Sequence, residues 1–410
     1  MNVSSFIAQR VAFKSRKSFS SFIIRLATAA TALSVAAMIL TLAFVNGFQQ
    51  TVSQKIFSFW GHVRVQQFGA AKAIVAEETP LLRNDTVERL IRANPEVTAV
   101  QAFATKSVVV EYKREIEGLL CKGVENTAAF APLQPFLTAG HWISFGEPLY
   151  SHEIVLSQKV ADKLNIHVND SISIFFIQGS QKRSNRNKLR VSGLFKTGIE
   201  QYDNYFALCD IRLLRRVNDW NSNVIGGYEV FLKDYNRMDT VSKDLTGQLP
   251  GKWISRTIRE IQPDIFDWLN IQDVNRNVIF ITMAAVAIIN LITCLLILVL
   301  ERTTMVGILK AIGARDIVIQ RIFLYHSAII AGRGILIGLV CGIGICLLQQ
   351  RFGFIRLDES NYYVTTAPVA LLWWQVAAVC IATLLVCLVA LLIPTYLVKT
   401  VRPVKAIQFR

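Results

Sequence analysis

The residues able to do chemistry are few and scattered. The five histidines stand at His62, His141, His152, His167 and His326. None sits with Cys or carboxylates at metal-ligand spacing, so no metal site is expected. No G-x-x-x-x-G-K-[ST] occurs, so the chain has no phosphate loop and no bound cofactor is expected. H-E-x-x-H and the G-x-S-x-G nucleophile elbow are also missing. Gly342-Ile343-Gly344 lies in an apolar run. With Gly334 and Gly338 it makes small-xxx-small spacing, which suits close helix packing rather than a nucleotide loop. No catalytic residue emerges, and an enzyme reading has little support.

The remaining polar singularities are of another kind. Five cysteines, Cys294, Cys341, Cys346, Cys380 and Cys387, lie in apolar runs, where they read as small lipid-tolerant side chains. Cys121 and Cys209 lie elsewhere and could pair in an oxidising compartment, although nothing in their spacing requires it. His326 and Arg333 interrupt one apolar run seven positions apart, on one helix face. Mid-membrane Arg costs about 2.5–3.5 kcal/mol on insertion scales. The pair either faces protein or a wet cavity, or lines a substrate route.

These residues are placed by long apolar segments. The chain has 410 residues, 52% hydrophobic and 18% charged. A membrane helix needs about 20 apolar residues. Four segments qualify: 22–46, 278–300, 322–348 and 371–398. The first is too long for a signal-peptide core, which runs about 7–15 residues, and is expected to be an uncleaved anchor. Basic residues flank three sites: Arg10, Lys14, Arg16, Lys17 and Arg25; Arg302, Lys310, Arg315 and Arg321; Lys399, Arg402, Lys405 and Arg410. Both termini inside would put every one of these flanks in the cytoplasm. The net charge of +15 is then a topology signal and not a nucleic-acid footprint. The expected order is a cytoplasmic amphipathic segment 1–21, a first span 22–46 and an outer domain 47–277. A span 278–300, a cytoplasmic loop 301–321 and a span 322–348 follow. A short outer loop 349–370, a span 371–398 and a cytoplasmic tail 399–410 complete it.

The outer domain reads as α+β. His62–Phe68, Val97–Tyr112 and Leu119–Val124 are strand-like, and Thr86–Ala93 is a helix with Asp85 as its N-cap. Pro132, Pro135 and Gly140 suggest two subdomains with a boundary near 132–152. Glu153–Phe176 reads strand, helix, strand, and Gln178–Arg190 is the tip of a hairpin. Its Lys182, Arg183, Arg186 and Lys188 fit a solvated loop or a docking tip for an acidic partner. Tyr228–Lys233 and Ile254–Ile258 are further strands, and Met238–Leu249 is a helix. Ile261–Asn277 is amphipathic and runs into the second span, as Phe48, Val52, Ile56 and Phe59 prolong the first.

The loop ERTTMVGILKAIGARDIVIQRIFL, Glu301–Leu324, is more patterned than a connector needs to be. Met305, Ile308, Leu309 and Ile312 fall on one face of a short helix that Gly313 ends and Asp316 restarts. Such a helix needs a partner for its apolar face. Periodicity allows the membrane surface, helped by Lys310 and Arg315, or a groove on a cytoplasmic protein.

Several stretches together resemble the FtsX-like/MacB-like permeases of ATP-binding-cassette systems, in the lipoprotein-releasing LolC/LolE branch. They are FIAQR with VNGF and GHVRV; EIVLSQKVADKLNIHVNDSISI; RVSGLFKTGIEQYD at Arg190–Asp203; and ERTTMVGILKAIGA with RPVKAI at Arg402–Ile407. The resemblance implies a four-helix membrane domain with a large MacB-like α+β periplasmic domain between helices one and two. It implies a non-catalytic subunit of the bacterial inner membrane, a second permease copy or homologue, and two ATPase subunits holding ATP and Mg. Lipoproteins would be extracted from the outer leaflet and passed to a periplasmic carrier. Met305, Val306, Gly307, Ile308, Leu309, Lys310, Ala311, Ile312 and Gly313 would meet the ATPase. Leu42, Val45 and Phe48 would line the substrate cavity, with plain helix packing as the other reading. The family's carrier hook falls at Gln178–Lys188. Here that segment is basic and not proline-rich, so this chain is a non-docking subunit or meets a different carrier. Other expectations compete: a MacB-like or FtsX-like mechanotransmitter acting on another substrate or a cell-wall hydrolase, and a membrane-anchored sensor without an ATPase.

Overall fold

The computed structural model describes residues 19–69, 77–177 and 186–390. The N-terminal segment up to residue 18, the hairpin residues Lys182 and Arg183 and the tail 399–410 lie outside the described residues. The chain forms two compact units. One is helical, with residues up to Gln50, Leu269–Arg356 and Thr366 onward. The other, Thr51–Trp268 with Leu357–Thr365, is α+β.

The helical unit is built on α1 (Phe19–Trp60), α2 (Pro263–Glu301), α3 (Thr303–Ala311), α4 (Asp316–Phe352) and α5 (Trp373–Ala390). Among the described residues, α1, α2 and α4 are long and apolar enough to cross a membrane, and α5 is a shorter apolar helix. Threonines in α1 satisfy themselves: Thr28, Thr31 and Thr41 donate to the carbonyls of Ile24, Ala27 and Ala37 at 2.8, 2.9 and 2.8 Å. These three hydroxyls are thus not left bare in an apolar surrounding. The glycines of α4 let α1 approach. A Cβ on Gly338 would lie 2.5 Å from the Ala32 carbonyl oxygen, and one on Gly334 2.7 Å from Thr31 Cβ. Close backbone approach of this kind is what small-xxx-small spacing permits. Asn290 on α2 donates to the Ala27 carbonyl at 3.0 Å, which satisfies the most polar side chain of that run.

The outer unit carries strands β1 (Val63–Gln67), β2 (Leu81–Leu82), β3 (Val97–Tyr112), β4 (Glu115–Val124), β5 (Leu137–Gly140) and β6 (Glu153–Ser157). It continues with β7 (Ser171–Phe176), β8 (Arg186–Phe195), β9 (Phe206–Asp210), β10 (Val224–Ile225), β11 (Gly227–Leu232) and β12 (Trp253–Thr257). Ten of these make one sheet, in the order β12-β1-β11-β3-β4-β9-β6-β8-β5, with β7 pairing β3 and β8. Strands β2 and β10 form a separate ladder.

Several expectations are corrected here. The helix Asp85–Ala93 is capped by Asn84, not Asp85; its side chain accepts from the amides of Thr86 and Val87. Residues 132–152 hold part of a 3-10 helix, Thr127–Phe136, the short β5 and a loop, while the ladder runs on through β4, β9 and β6. The ten-stranded sheet has strands on both sides of this stretch, β4 before it and β6 after it. Strand β9 was not foreseen, because all five of its residues are buried and no alternation marks it.

Candidate functional site

In the helical unit, α3 ends on the αL turn that Gly313 provides. Gly313 has φ +91°, its amide donates to Lys310 O at 3.0 Å, and the Ala314 amide donates to Leu309 O at 2.9 Å. This is a Schellman cap. The four residues placed on one apolar face divide between two surroundings. Met305 and Leu309 pack, with fully buried Val306, against a cluster that includes Ala27, Leu295, Ile319 and Phe323. Ile308 is 51% exposed and Ile312 76% exposed. Ala311 is exposed beside them, while Gly307 is buried. Lys310 does not reach outward: its ammonium pairs with Asp316 at 3.0 Å and ties α3 to the start of α4. An incoming partner would therefore meet Ile308, Ala311 and Ile312, while Met305, Val306 and Leu309 hold the helix in place.

Of the intramembrane polar residues on α4, His326 is 1% exposed, neither ring nitrogen has a hydrogen-bond partner, and Arg333 is half-buried. Leu42, Val45 and Phe48 are all half-buried along α1. Leu42 packs against a cluster with Val35, Met38, Ile39 and Val376. The adjoining Asn46 and Gly47 have definite work. Asn46 donates to Gln375 at 2.5 Å. A Cβ on Gly47 would lie 2.6 Å from the Pro368 carbonyl oxygen, so the chain before α5 can cross α1 only over a glycine.

In the outer unit, RVSGLFKTGIEQYD forms the end of β8 and the turn after it. Asp203 accepts from the Thr197 amide at 2.9 Å, the Thr197 hydroxyl at 2.8 Å and the Gly198 amide at 2.9 Å. Burial raises its pKa, and these bonds pull it back down. Tyr202 is buried and donates to Gln262 at 2.6 Å, and burial pushes its phenol far above the usual range. The Tyr202 ring stacks on Phe59 at 4.8 Å, and Phe206 meets Trp60 edge-on at 5.1 Å. The motif thus encloses the C-terminal end of α1 in aromatic rings.

Beside those rings lie two buried ion pairs that sequence reading missed. Arg64 pairs with Glu78 at 2.7 Å, and Lys122 with Glu229 at 2.7 Å, all four side chains nearly inaccessible. The Lys122 ammonium also donates to the Phe59 carbonyl, at the end of α1. Arg64 lies over the rings of Trp60 and Phe103, 4.5 Å from each centroid. Burial pushes the Lys122 amine down and the Glu78 carboxyl up. The sequence signal was a charged residue in each of three otherwise apolar runs, Arg64 in β1, Lys122 in β4 and Glu229 in β11. Glu78 lies 14 residues from Arg64, whereas Glu229 and Lys122 are distant along the chain.

The hairpin of β7 and β8 is in part tied to itself. Arg186 donates twice to the Ser173 hydroxyl, at 3.1 and 2.9 Å, while Lys188 is exposed. Cys121 and Cys209 are free and buried on the adjacent strands β4 and β9. Burial raises the Cys209 thiol well above the usual range. Among the described residues no group of His, Cys, Asp or Glu could hold a metal ion.

A MacB-like periplasmic core domain matches residues 26–248, and an FtsX-like permease C-terminal domain matches residues 277–403. The lipoprotein-releasing system transmembrane protein LolE of Haemophilus influenzae is 24% identical over 434 residues, covering 100% of both chains. The LolC protein of Xylella fastidiosa (strain 9a5c) is 22% identical over 411 residues, 97% of this chain and 96% of that one. This chain belongs to the family with a MacB-like periplasmic core domain, here followed by an FtsX-like permease domain, and the LolC and LolE proteins are among its relatives. Among solved structures, the periplasmic region of MacB from Actinobacillus actinomycetemcomitans aligns with a TM-score of 0.36 and 12% identity. That alignment covers 50% of this chain and 91% of that one.

Proposed function

We propose that this chain is the permease subunit of an ABC transporter that releases lipoproteins from the outer leaflet of the inner membrane. The observation that carries this is the near full-length likeness to lipoprotein-releasing LolC and LolE proteins, across both the core domain and the permease domain. The chain is a multi-pass membrane protein and not itself an ATPase. α5 belongs to its fourth span, both termini are cytoplasmic, and the α+β unit is periplasmic.

Energy then comes from partner subunits. Two ATPases, holding ATP and Mg, dock on α3 through Ile308, Ala311 and Ile312, whose exposure supports this placement. A second permease subunit completes the membrane part. Leu42, Val45 and Phe48 face the lipoprotein chains, and α1, unbroken from Phe19 to Trp60, carries movement outward. Lys182, Arg183, Arg186 and Lys188 are this chain's candidate contacts for an acidic partner, a carrier different from that of the family hook.

Depletion tests the reading. Mature lipoproteins should accumulate in the inner membrane when the chain is lost. Normal lipoprotein sorting in depleted cells would reject the substrate assignment and return the case to a mechanotransmitter of another kind. Recovery of the chain without any ATPase in several mild detergents would reject both.

A further inference from the structure

The stretch between α4 and α5 leaves the helical unit and joins the outer one: residues 357–365 cluster with Thr51–Trp268. The excursion is closed at its base, where the Leu357 amide donates to the Thr365 carbonyl at 3.0 Å. Its short helix, Glu359–Tyr362, is capped by Asp358, which accepts from the Ser360 amide at 3.1 Å and hydroxyl at 2.9 Å. Tyr363 follows at φ +60°.

This strap lands on the turn of the RVSGLFKTGIEQYD motif. Lys196 pairs with Glu359 at 2.5 Å. Lys55, on α1, donates to the Tyr363 carbonyl at 2.7 Å. The Tyr363 ring meets Trp268 edge-on at 5.5 Å. Gly198 makes the landing possible. It has φ +76°, and a Cβ there would lie 2.5 Å from Glu359 Oε1, 2.7 Å from Lys55 Nζ and 3.1 Å from the Tyr363 carbonyl oxygen. Asp203 holds that turn rigid through its three hydrogen bonds.

The chemistry of the clasp differs from that of its surroundings. Close to Lys55 and Lys196 in sequence, Phe59, Trp60 and Tyr202 pack the end of α1 in fully buried rings. The clasp is polar and wet. The Lys196 side chain is 45% exposed, and an open cavity of about 270 Å³, lined by Gln158, Lys159, Asp162, Glu200 and Ser360, brings water to the Lys196–Glu359 pair. A partly exposed ion pair, one carbonyl bond and one edge-on ring contact make a modest hold, suited to repeated opening.

We propose that residues 357–365 are an ionic strap that clasps Lys55 of α1 to the Thr197–Gly198 turn and opens during each ATP cycle. Lys55, Lys196 and Glu359 are then positioning residues: they set when α1 is free to move, without touching the lipoprotein. This rests on the transporter reading above.

The test is hydrogen exchange across 357–365 in the purified complete complex, with and without ATP, beside an assay of lipoprotein release. In the nucleotide-free complex, Lys196→Met or Glu359→Gln should speed exchange in the strap by about twofold to fivefold, the scale of one exposed ion pair. ATP turnover should speed it in the native complex and add little in the variants. The double reversal Lys196→Glu with Glu359→Lys should restore native exchange and native release per ATP hydrolysed. Exchange that is the same with and without ATP, or that neither single variant changes, overturns the strap. A strap that responds to ATP in a native complex that releases no lipoprotein upholds the strap and overturns only the transporter reading.

Discussion

At the scale of single residues, the outer unit holds titratable groups whose burial sets a pH dependence. His62 is pushed down to about 4 by burial, and its Nδ1 accepts from the Leu232 amide at 2.9 Å, which requires the neutral ring. The unfolded ring titrates near the ordinary value of 6.5, so the unfolded state binds more protons between about 4 and 6.5. The outer unit should therefore be indifferent to His62 above pH 6.5 and lose up to about 3 kcal/mol as pH falls through that window. Hydrogen exchange in β11 should quicken over that range in the native chain and flatten in His62→Gln. The buried pairs make a second prediction. Lys122→Met strands Glu229 in a dry site and should cost about 3–5 kcal/mol, while Lys122→Met with Glu229→Gln recovers most of it. Denaturant dependence of exchange in β4 and β11 of the full chain measures both. Equal loss in the single and double variants would mean that packing, and not the charge, carries the effect.

At the scale of elements, α3 shows how periodicity and packing divide one pattern. Met305, Ile308, Leu309 and Ile312 share a helical period, but Leu309 is turned into the cluster with Val306 while Ile312 stands 76% exposed. Ile308→Asp and Ile312→Asp should abolish co-purification of the ATPase and leave membrane insertion intact. Leu309→Asp should lower the yield of folded protein as well, because it places a charge against Ala27, Ile319 and Phe323. Unchanged ATPase recovery with Ile312→Asp would remove α3 from the coupling role. The contact of α4 on α1 is equally specific. Gly338→Leu forces a side chain into the Ala32 backbone, 2.5 Å from where its Cβ would sit, and should destabilise the helical unit, read as a lower melting temperature in detergent.

At the scale of the whole molecule, two different kinds of information were needed. The apolar runs, the basic flanks and the small-xxx-small glycines were legible in the sequence, because membrane burial and helix packing are local, periodic demands. So were the strand–helix–strand of Glu153–Phe176 and the Gly313 stop, which depend on neighbours a few residues apart. Sequence likewise carried the family motifs, and with them the expectation of an ATPase elsewhere. It could not show that Lys122 meets Phe59 and Glu229, that Gly198 must be bare for Glu359 and Tyr363 to land, or that residues 357–365 leave the helices for the outer unit. Each of these contacts joins residues 60 to 165 or so positions apart in a chain of 410, and no period or spacing links them. Only the closed sheet and the turn at Thr197 bring them within hydrogen-bonding reach, so only the tertiary structure decided what holds α1 at its outer end.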